Sequence, residues 1–238
     1  MRRLYHINNI RRVSHVIPAP KVLGVPFYGD IITVGSGKMY ATLAAATAAA
    51  NGAHEALFLV YPGTYTNDSP GYWGRNFYVL GMCGLNLDSV YFNYTDATSA
   101  IYLYSPNVII ENFSIYRASY DWRSGIWMTS GPKNVLMNKI RLNGAGSTYP
   151  FNSDSKSNAP KCIINQSTIY GGYSSFHYIT LSNFIINRSY IGGTGFTYDC
   201  VGSPAYADYT TTWGDGTRGY WYSAPLAIDL DPRWDIAP

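Results

Sequence analysis

Four copies of one pattern run through this chain, and in each copy apolar residues recur at every second position, break phase at a polar pair, and then recur at every second position again. The copies begin at residues 107, 134, 161 and 183, so their starts lie 27, 27 and 22 residues apart. Alternation with a period of two, together with many β-branched residues, predicts strands rather than helices. A repeat of this length predicts one coil of a solenoid per copy.

Each copy also predicts a row of inward-pointing side chains on two successive strands. The polar pair between the strands, Glu111 and Asn112 in the first copy, predicts a turn. One coil cannot bury such a row alone, whereas stacked coils build a continuous core. The predicted inward residues are Val108, Ile110, Phe113, Ile115, Val135, Met137, Ile140, Leu142, Cys162, Ile164, Ile169, Phe184, Ile186 and Ile191.

An alanine-rich stretch, residues 42–52, precedes the coils. Its composition favours a helix, and Gly52 is placed to end it. We expect this helix to cover the open end of the stack. Between the helix and the repeats, three apolar segments at residues 76–84, 90–94 and 100–104 predict an earlier coil with one segment on each face.

The helix is followed by an apolar strand that ends in Tyr61-Pro62-Gly63-Thr64-Tyr65, and irregular coils come next. This order resembles the right-handed parallel β-helix proteins of the pectin-lyase-like superfamily, a fold also found in bacteriophage decoration, spike and fibre proteins. The resemblance covers about residues 38–198. It implies an all-β, right-handed, single-stranded parallel β-helix with a short N-terminal capping helix and extended arms at both ends.

The expected organisation therefore has four parts: an N-terminal anchoring arm at 1–37, the capping helix at 38–54, the β-helix at 55–198 and a C-terminal extension at 199–238. The first arm is basic through Arg2, Arg3, Arg11 and Arg12. It lacks the apolar core of a secretory signal. A net charge of +3 is too small to predict a nucleic-acid partner, and no apolar run reaches the length of a membrane span. We therefore expect the chain to bind neither nucleic acid nor a membrane.

Candidate catalytic residues are few. Glycoside hydrolysis requires two carboxylates about 5–9.5 Å apart, and Glu111, Asp121 and Asp199 are the acids that could supply them. The positions that match Glu111 in the other copies carry an amide instead, at Asn138, Asn165 and Asn187. Glu111 could pair with Asp121 across a turn, but we expect solvated loop carboxylates at these two positions and no catalytic site. The acidic and basic motifs of pectin-degrading enzymes are absent from the sequence.

Metal ions and cofactors are not expected either. Cys83, Cys162 and Cys200 are widely spaced, which predicts buried reduced thiols rather than a zinc site or a disulfide framework. Asp199, Asp208 and Asp215 do not have the spacing of a calcium-binding loop of the EF-hand type.

Two sets of repeated side chains predict surface features. Asn107, Asn134 and Asn183, with Lys161 between them, predict a ladder of stacked amides with a structural role. An aromatic stripe could fill a subunit interface or stack on glycans. Its candidate residues are Tyr102, Tyr104, Tyr116, Trp122, Trp127, Tyr170 and Tyr190.

The sequence thus favours a non-enzymatic structural protein of a large assembly, such as a phage virion decoration, spike or fibre subunit attached through its arms. By resemblance, its partners would be other subunits of that assembly, and the chain would form a homo-oligomer, for which a trimer is our expectation. The expected location is the virion. The alternatives are a carbohydrate-active β-helix, namely a tailspike glycosidase or a pectinase-like enzyme, and a non-catalytic glycan-binding module.

Overall fold

A computed structural model shows that the chain forms a parallel β-solenoid. Apart from one short antiparallel pair, β1 (Lys21–Val22) with β2 (Val25–Pro26), every strand pairing is parallel and joins successive coils. The structure describes residues 21–22, 25–26, 29–50, 55–72, 74, 76–96, 100–118, 124–129, 134–144, 149–153, 161–177, 184–198, 206–208 and 211–213.

The coils place their strands on three faces, and long strands bend from one face to the next. The first face contains β3 (Asp30–Val34), β4 (Ala56–Val60), β7 (Asn76–Gly81), the first halves of β10 (Asn107–Arg117) and β12 (Asn134–Gly144), β14 (Lys161–Asn165), β16 (Phe184–Asn187) and β18 (Tyr206–Asp208).

The second face continues directly from the first. It contains β5 (Gly63–Thr66), β8 (Val90–Tyr94), the second halves of β10 and β12, the first parts of β15 (Thr168–His177) and β17 (Tyr190–Tyr198), and β19 (Thr211–Trp213). The third face contains β6 (Gly71–Tyr72), β9 (Ile101–Leu103), β11 (Ile126–Met128), β13 (Phe151–Ser153) and the ends of β15 and β17.

The predicted inward residues are confirmed. All fourteen lie in one continuous core, and none is more than 1% exposed. The copies align in the register that the repeat predicts, with Asn107 beside Asn134 and Asn134 beside Lys161. Because each coil buries its row against the coils above and below, the core runs the length of the described solenoid.

In the four coils that carry the repeats, the corner between the first and second faces is made by one polar residue in the left-handed region. These residues are Asn112, Lys139, Gln166 and Arg188, with φ between 47° and 62°. A single left-handed residue reverses the side-chain alternation, and this explains why the repeat breaks phase at a polar pair.

Helix α1 (Leu43–Ala50) confirms the helix predicted from the alanine-rich stretch; Gly52 lies outside the described residues. The helix connects β3 to β4 and packs against both of these strands and against β6. Leu43, Ala46 and Ala50 join the core from its N-terminal end. Among the described residues, no helix combines the length and apolar character needed to cross a membrane.

The parallel pairing extends beyond the boundaries expected from sequence. Strand β3 lies within the expected N-terminal arm, yet Ile32 and Val34 belong to the core. Strands β18 and β19 lie within the expected C-terminal extension and pair with β16 and β17. These strands are only three to five residues long, too short for alternation to reveal them. The arginines expected to form the assembly arm lie outside the described residues: Arg2, Arg3, Arg11 and Arg12.

Candidate interaction surface

A column of apolar side chains runs along the outer side of the first face, opposite the core. Phe58 and Val60 point into the core, so Leu57 and Leu59, which alternate with them on β4, project outward. The strand register places one apolar residue directly beside the next from coil to coil. This outer strip consists of Ile31, Leu57, Tyr78, Ile109, Leu136, Ile163 and Ile185.

The outer strip is well packed although it lies outside the solenoid core. Leu57, Tyr78 and Ile109 form a second apolar cluster, and Leu59 and Leu80 pack against it. The exposed fractions of Leu57, Tyr78 and Ile109 are only 3%, 5% and 4%, respectively. Burial raises the pKa of the Tyr78 hydroxyl, and the nearby Glu55 carboxylate adds to this effect. An apolar outer column of this extent is typical of a surface that is covered by another layer.

Sequence reasoning missed this strip, although its signal is present. In each repeat the residue between the two predicted inward positions is also apolar, as in Val108-Ile109-Ile110 and Cys162-Ile163-Ile164. A strand that is apolar on both sides is the usual sign of a sheet covered on both faces.

Two ladders of side-chain hydrogen bonds flank the outer strip. On one side, Asn107 Nδ2 donates to Asn76 Oδ1 at 2.7 Å, and Asn134 Nδ2 donates to Asn107 Oδ1 at 2.8 Å. At the head of this ladder, Asn76 Nδ2 donates to the Glu55 carboxylate. The predicted amide ladder is thus present over Asn107 and Asn134, and Asn183 lies outside the described residues.

The second ladder contains Glu111, the first of the candidate catalytic acids. Asn138 Nδ2 donates to Glu111 Oε1, and Asn165 Nδ2 donates to Asn138 Oδ1, both at 2.8 Å. The Glu111 carboxylate therefore holds a structural hydrogen bond at the head of a column of amides. Asp121 and Asp199 lie outside the described residues, so the pairing of Glu111 with either acid stays untested.

The other acidic side chains near the second face also have structural partners. Asp88 Oδ1 accepts a hydrogen bond from the Ser114 hydroxyl at 2.6 Å, and Asp88 Oδ2 lies 2.5 Å from Arg141 Nη1. These contacts, the Ser114 hydroxyl above all, lower the pKa of Asp88. Asp68 is buried and binds two backbone N–H groups of α1. These carboxylates are thus engaged in hydrogen bonds that stabilise the coils.

The residues of the predicted aromatic stripe fall into separate columns on two faces. Tyr102 lies beside Trp127 on the third face, and Tyr104 stacks on Tyr102 with ring centroids 5.7 Å apart and planes 4° from parallel. Tyr116 and Tyr170 share a column on the second face, with Asn143 between them. Tyr190 occupies the neighbouring column of that face, and Trp122 lies outside the described residues.

A buried polar cluster covers the third face one coil beyond Trp127. Asn152 Oδ1 accepts a hydrogen bond from the backbone N–H of Ser153 at 2.7 Å and lies 3.1 Å from His177 Nδ1. The oxygen can only accept, so Nδ1 is the protonated nitrogen of His177 in this contact. The Tyr149 ring stacks on the imidazole with centroids 4.2 Å apart. Buried polar groups that bond and stack on one another in this way are typical of a cluster with a structural role.

The described residues offer little for metal or thiol chemistry. Within that part of the chain, no group of three or more His, Cys, Asp and Glu side chains could hold a metal ion. Cys83 and Cys162 are free and buried, and burial raises the pKa of both thiols. Cys200, Asp199 and Asp215 lie outside the described residues, and only the strand position of Asp208 is described.

No protein-family model matches the chain, and neither a curated protein nor a solved structure matches it significantly. The parallel β-solenoid therefore stands on the strand register alone. The resemblance to the pectin-lyase-like superfamily and to phage proteins stays a prediction.

Proposed function

We propose that this chain is a non-enzymatic structural subunit of a large assembly, of the kind that forms decorations, spikes or fibres of a phage virion. The observation that carries the proposal is the position of Glu111 at the head of an amide ladder, where its carboxylate accepts a hydrogen bond from Asn138. In a glycosidase this carboxylate would face a second one across a sugar, whereas the neighbour that contacts Glu111 in the next coil is an amide.

The solenoid has properties that suit a rigid structural element. Its strands pair with neighbours on both sides through most of the stack, and one core connects the coils. The ladders beside the outer strip add side-chain hydrogen bonds between coils. We propose that such a rod presents its faces to neighbouring subunits and is attached through the terminal segments that flank the described coils, residues 1–28 and 214–238.

Activity measurements on matched variants test the non-enzymatic role. The full-length protein is incubated with a panel of acidic and neutral polysaccharides, and new reducing ends and unsaturated products are measured. We expect no product from the wild type or from Glu111→Gln. Glu55→Gln is the control, because Glu55 heads the other ladder and its carboxylate likewise accepts a hydrogen bond from an asparagine. Cleavage that Glu111→Gln abolishes and Glu55→Gln retains would overturn the proposal.

Assembly is tested by the mass of the purified full chain in solution and by electron microscopy. We expect a defined oligomer, and a trimer would agree with the resemblance to phage β-helix proteins. A monomer at all concentrations up to about 100 μM, where even weak specific contacts with a Kd in the micromolar range associate, would contradict a self-assembling subunit.

A glycan-binding module is a second candidate, favoured by the parallel rings of Tyr102 and Tyr104 and by Trp127, which lies beside Tyr102 on the adjacent strand. Aromatic faces of this kind can stack on sugar rings. Calorimetric titration with oligosaccharides tests this role, with Trp127→Ala as the site variant and Tyr170→Ala, on another face, as the control. Binding that survives Trp127→Ala would exclude this site.

A further inference from the structure

The burial of the outer strip implies a layer above it. Leu57, Tyr78 and Ile109 are 3–5% exposed, although they project away from the core. Side chains on the open side of a sheet ordinarily keep part of their surface in water. Helix α1 is not this layer, because its buried residues join the core cluster and not the outer one.

We propose that the N-terminal segment of the same chain, residues 1–28, packs along the outer strip. The chain enters the solenoid at Asp30, immediately before Ile31, which is the first residue of the strip. The segment that precedes this entry is therefore delivered to the end of the strip. A second copy of the chain is not needed to bury Leu57, Tyr78 and Ile109, since these side chains are already covered within one chain.

The segment has sufficient length for this path. From Ile31 to Ile163 the strip crosses five inter-strand steps, about 24 Å at about 4.8 Å per step. The antiparallel pair β1–β2 reverses the chain within residues 21–26, so the length available is that of residues 1–20. An extended chain at about 3.3 Å per residue spans the strip with about eight of these residues. Residues 1–20 are therefore long enough to cover the strip.

The composition of the segment matches the strip and its borders. It contains apolar residues that can cover the strip, namely Leu4, Ile7, Ile10, Val13, Val16 and Ile17. It contains no Asp or Glu but five basic residues: Arg2, Arg3, Arg11, Arg12 and Lys21. The ladders on the two sides of the strip are headed by Glu55 and Glu111. Opposite charges of this kind favour one register over others.

This inference does not depend on the proposed structural role. It concerns the isolated chain, and it would hold equally for an enzyme. If the chain is a structural subunit, the N-terminal segment expected to attach it would pack on the first face of the same chain.

Limited trypsin digestion of the full-length protein tests whether the N-terminal segment packs on the outer strip. We expect cleavage after Arg11 and Arg12 to be slow in the wild type. Leu136→Lys places a charge on the half-buried part of the strip and should accelerate this cleavage at least tenfold. Tyr170→Lys, an exposed position on the second face, is the matched control and should leave the cleavage rate unchanged. Rapid cleavage in the wild type, or equal rates in both variants, would overturn the proposal.

The reciprocal experiment changes the segment and measures the strip. In the full-length chain, Ile7→Asp with Ile10→Asp should expose the strip and raise the fluorescence of an apolar-surface dye severalfold. Leu226→Asp with Ile228→Asp is the control in the C-terminal segment. A rise only in the control would assign the strip to the C-terminal segment, and an oligomer that Leu136→Lys dissociates would assign it to a second copy. Either result would overturn the proposal that residues 1–28 pack along the outer strip.

Discussion

Asp68 caps the helix α1 from the turn that follows strand β5, more than twenty residues further along the chain. Its Oδ2 accepts a hydrogen bond from the backbone N–H of Leu43 and its Oδ1 accepts one from that of Ala44, both at 2.7 Å. The Tyr94 hydroxyl in turn donates to the Asp68 carbonyl oxygen at 2.7 Å. The helix is therefore fastened to the second coil through one carboxylate, which neutralises two of its unpaired N–H groups.

Replacing this cap should destabilise the N-terminal end of the solenoid. We expect Asp68→Ala to lower the free energy of unfolding by about 2 kcal/mol, since two N–H groups lose their acceptor. Asp68→Asn retains one acceptor and should cost less. Urea unfolding followed by circular dichroism measures both changes, with Thr66→Ala at a nearby exposed position as the control. A loss below about 0.5 kcal/mol for Asp68→Ala would contradict the capping role.

The amide ladder beside the outer strip should contribute measurably to stability. Asn107 donates to Asn76 and accepts from Asn134, so Asn107→Ala removes two hydrogen bonds. At about 1 kcal/mol for each, we expect a loss of about 2 kcal/mol in the free energy of unfolding. Asn143→Ala, at an exposed position of the second face, is the control and should cost far less. Equal losses in the two variants would show that the ladder adds nothing specific.

Gly81 should tolerate no side chain, because the next coil passes directly over it. A Cβ at this position would lie 1.9 Å from the backbone oxygen of Asn112. Neither strand can move without disturbing the register of the stack, so Gly81→Ala should cost about 3 kcal/mol or more. Gly63→Ala is the matched control, since a Cβ there meets its neighbours at 3.7 Å. Thermal unfolding of the two variants compares these costs.

Acid should weaken the contact between Asp88 and its partners. The Ser114 hydroxyl and Arg141 lower the pKa of Asp88 in the folded chain, so the carboxylate form is favoured by folding. Its contribution is therefore complete above the ordinary pKa of an aspartate and disappears as the pH falls through the lowered value. We expect the free energy of unfolding of Asp88→Asn to fall less steeply than that of the wild type below about pH 4.

Urea unfolding at a series of pH values measures this dependence. The contact is half exposed to water, so salt should reduce the part that comes from Arg141. Parallel pH profiles for the wild type and Asp88→Asn would show that other carboxylates dominate the acid sensitivity.

The sequence predicts the core well because burial and alternation report the same physical fact. Val135 and Ile164, for example, are predicted to point inward and do lie in the core, since side chains along a strand alternate in direction with a period of two. The phase break predicted the corner, but not its cause, the left-handed conformation of residues such as Lys139. A polar residue in a turn has no local signal that distinguishes this conformation from other turns.

Contacts between distant residues were not predictable from local pattern. Nothing near Asp68 in sequence indicates that it caps α1, because the partners come together only when the coils stack. The continuity of the outer strip has the same origin. The sequence shows that Ile109 is apolar, but only the register shows that Tyr78 and Leu136 lie on either side of it.

The two ladders also have a direction, and this direction bears on how the length of the molecule can change. In each ladder every amide nitrogen donates to the preceding coil, and a carboxylate, which can only accept, stands at the N-terminal end. In a duplicated 27-residue coil inserted after Glu111, the ladder amide would donate to the carboxylate of the preceding coil and accept from the amide of the following coil. Both ladders would then continue without rearrangement. The same coil placed ahead of the carboxylates would find no donor on them. Gene duplication can therefore lengthen this rod from within, while its N-terminal end keeps a fixed terminus.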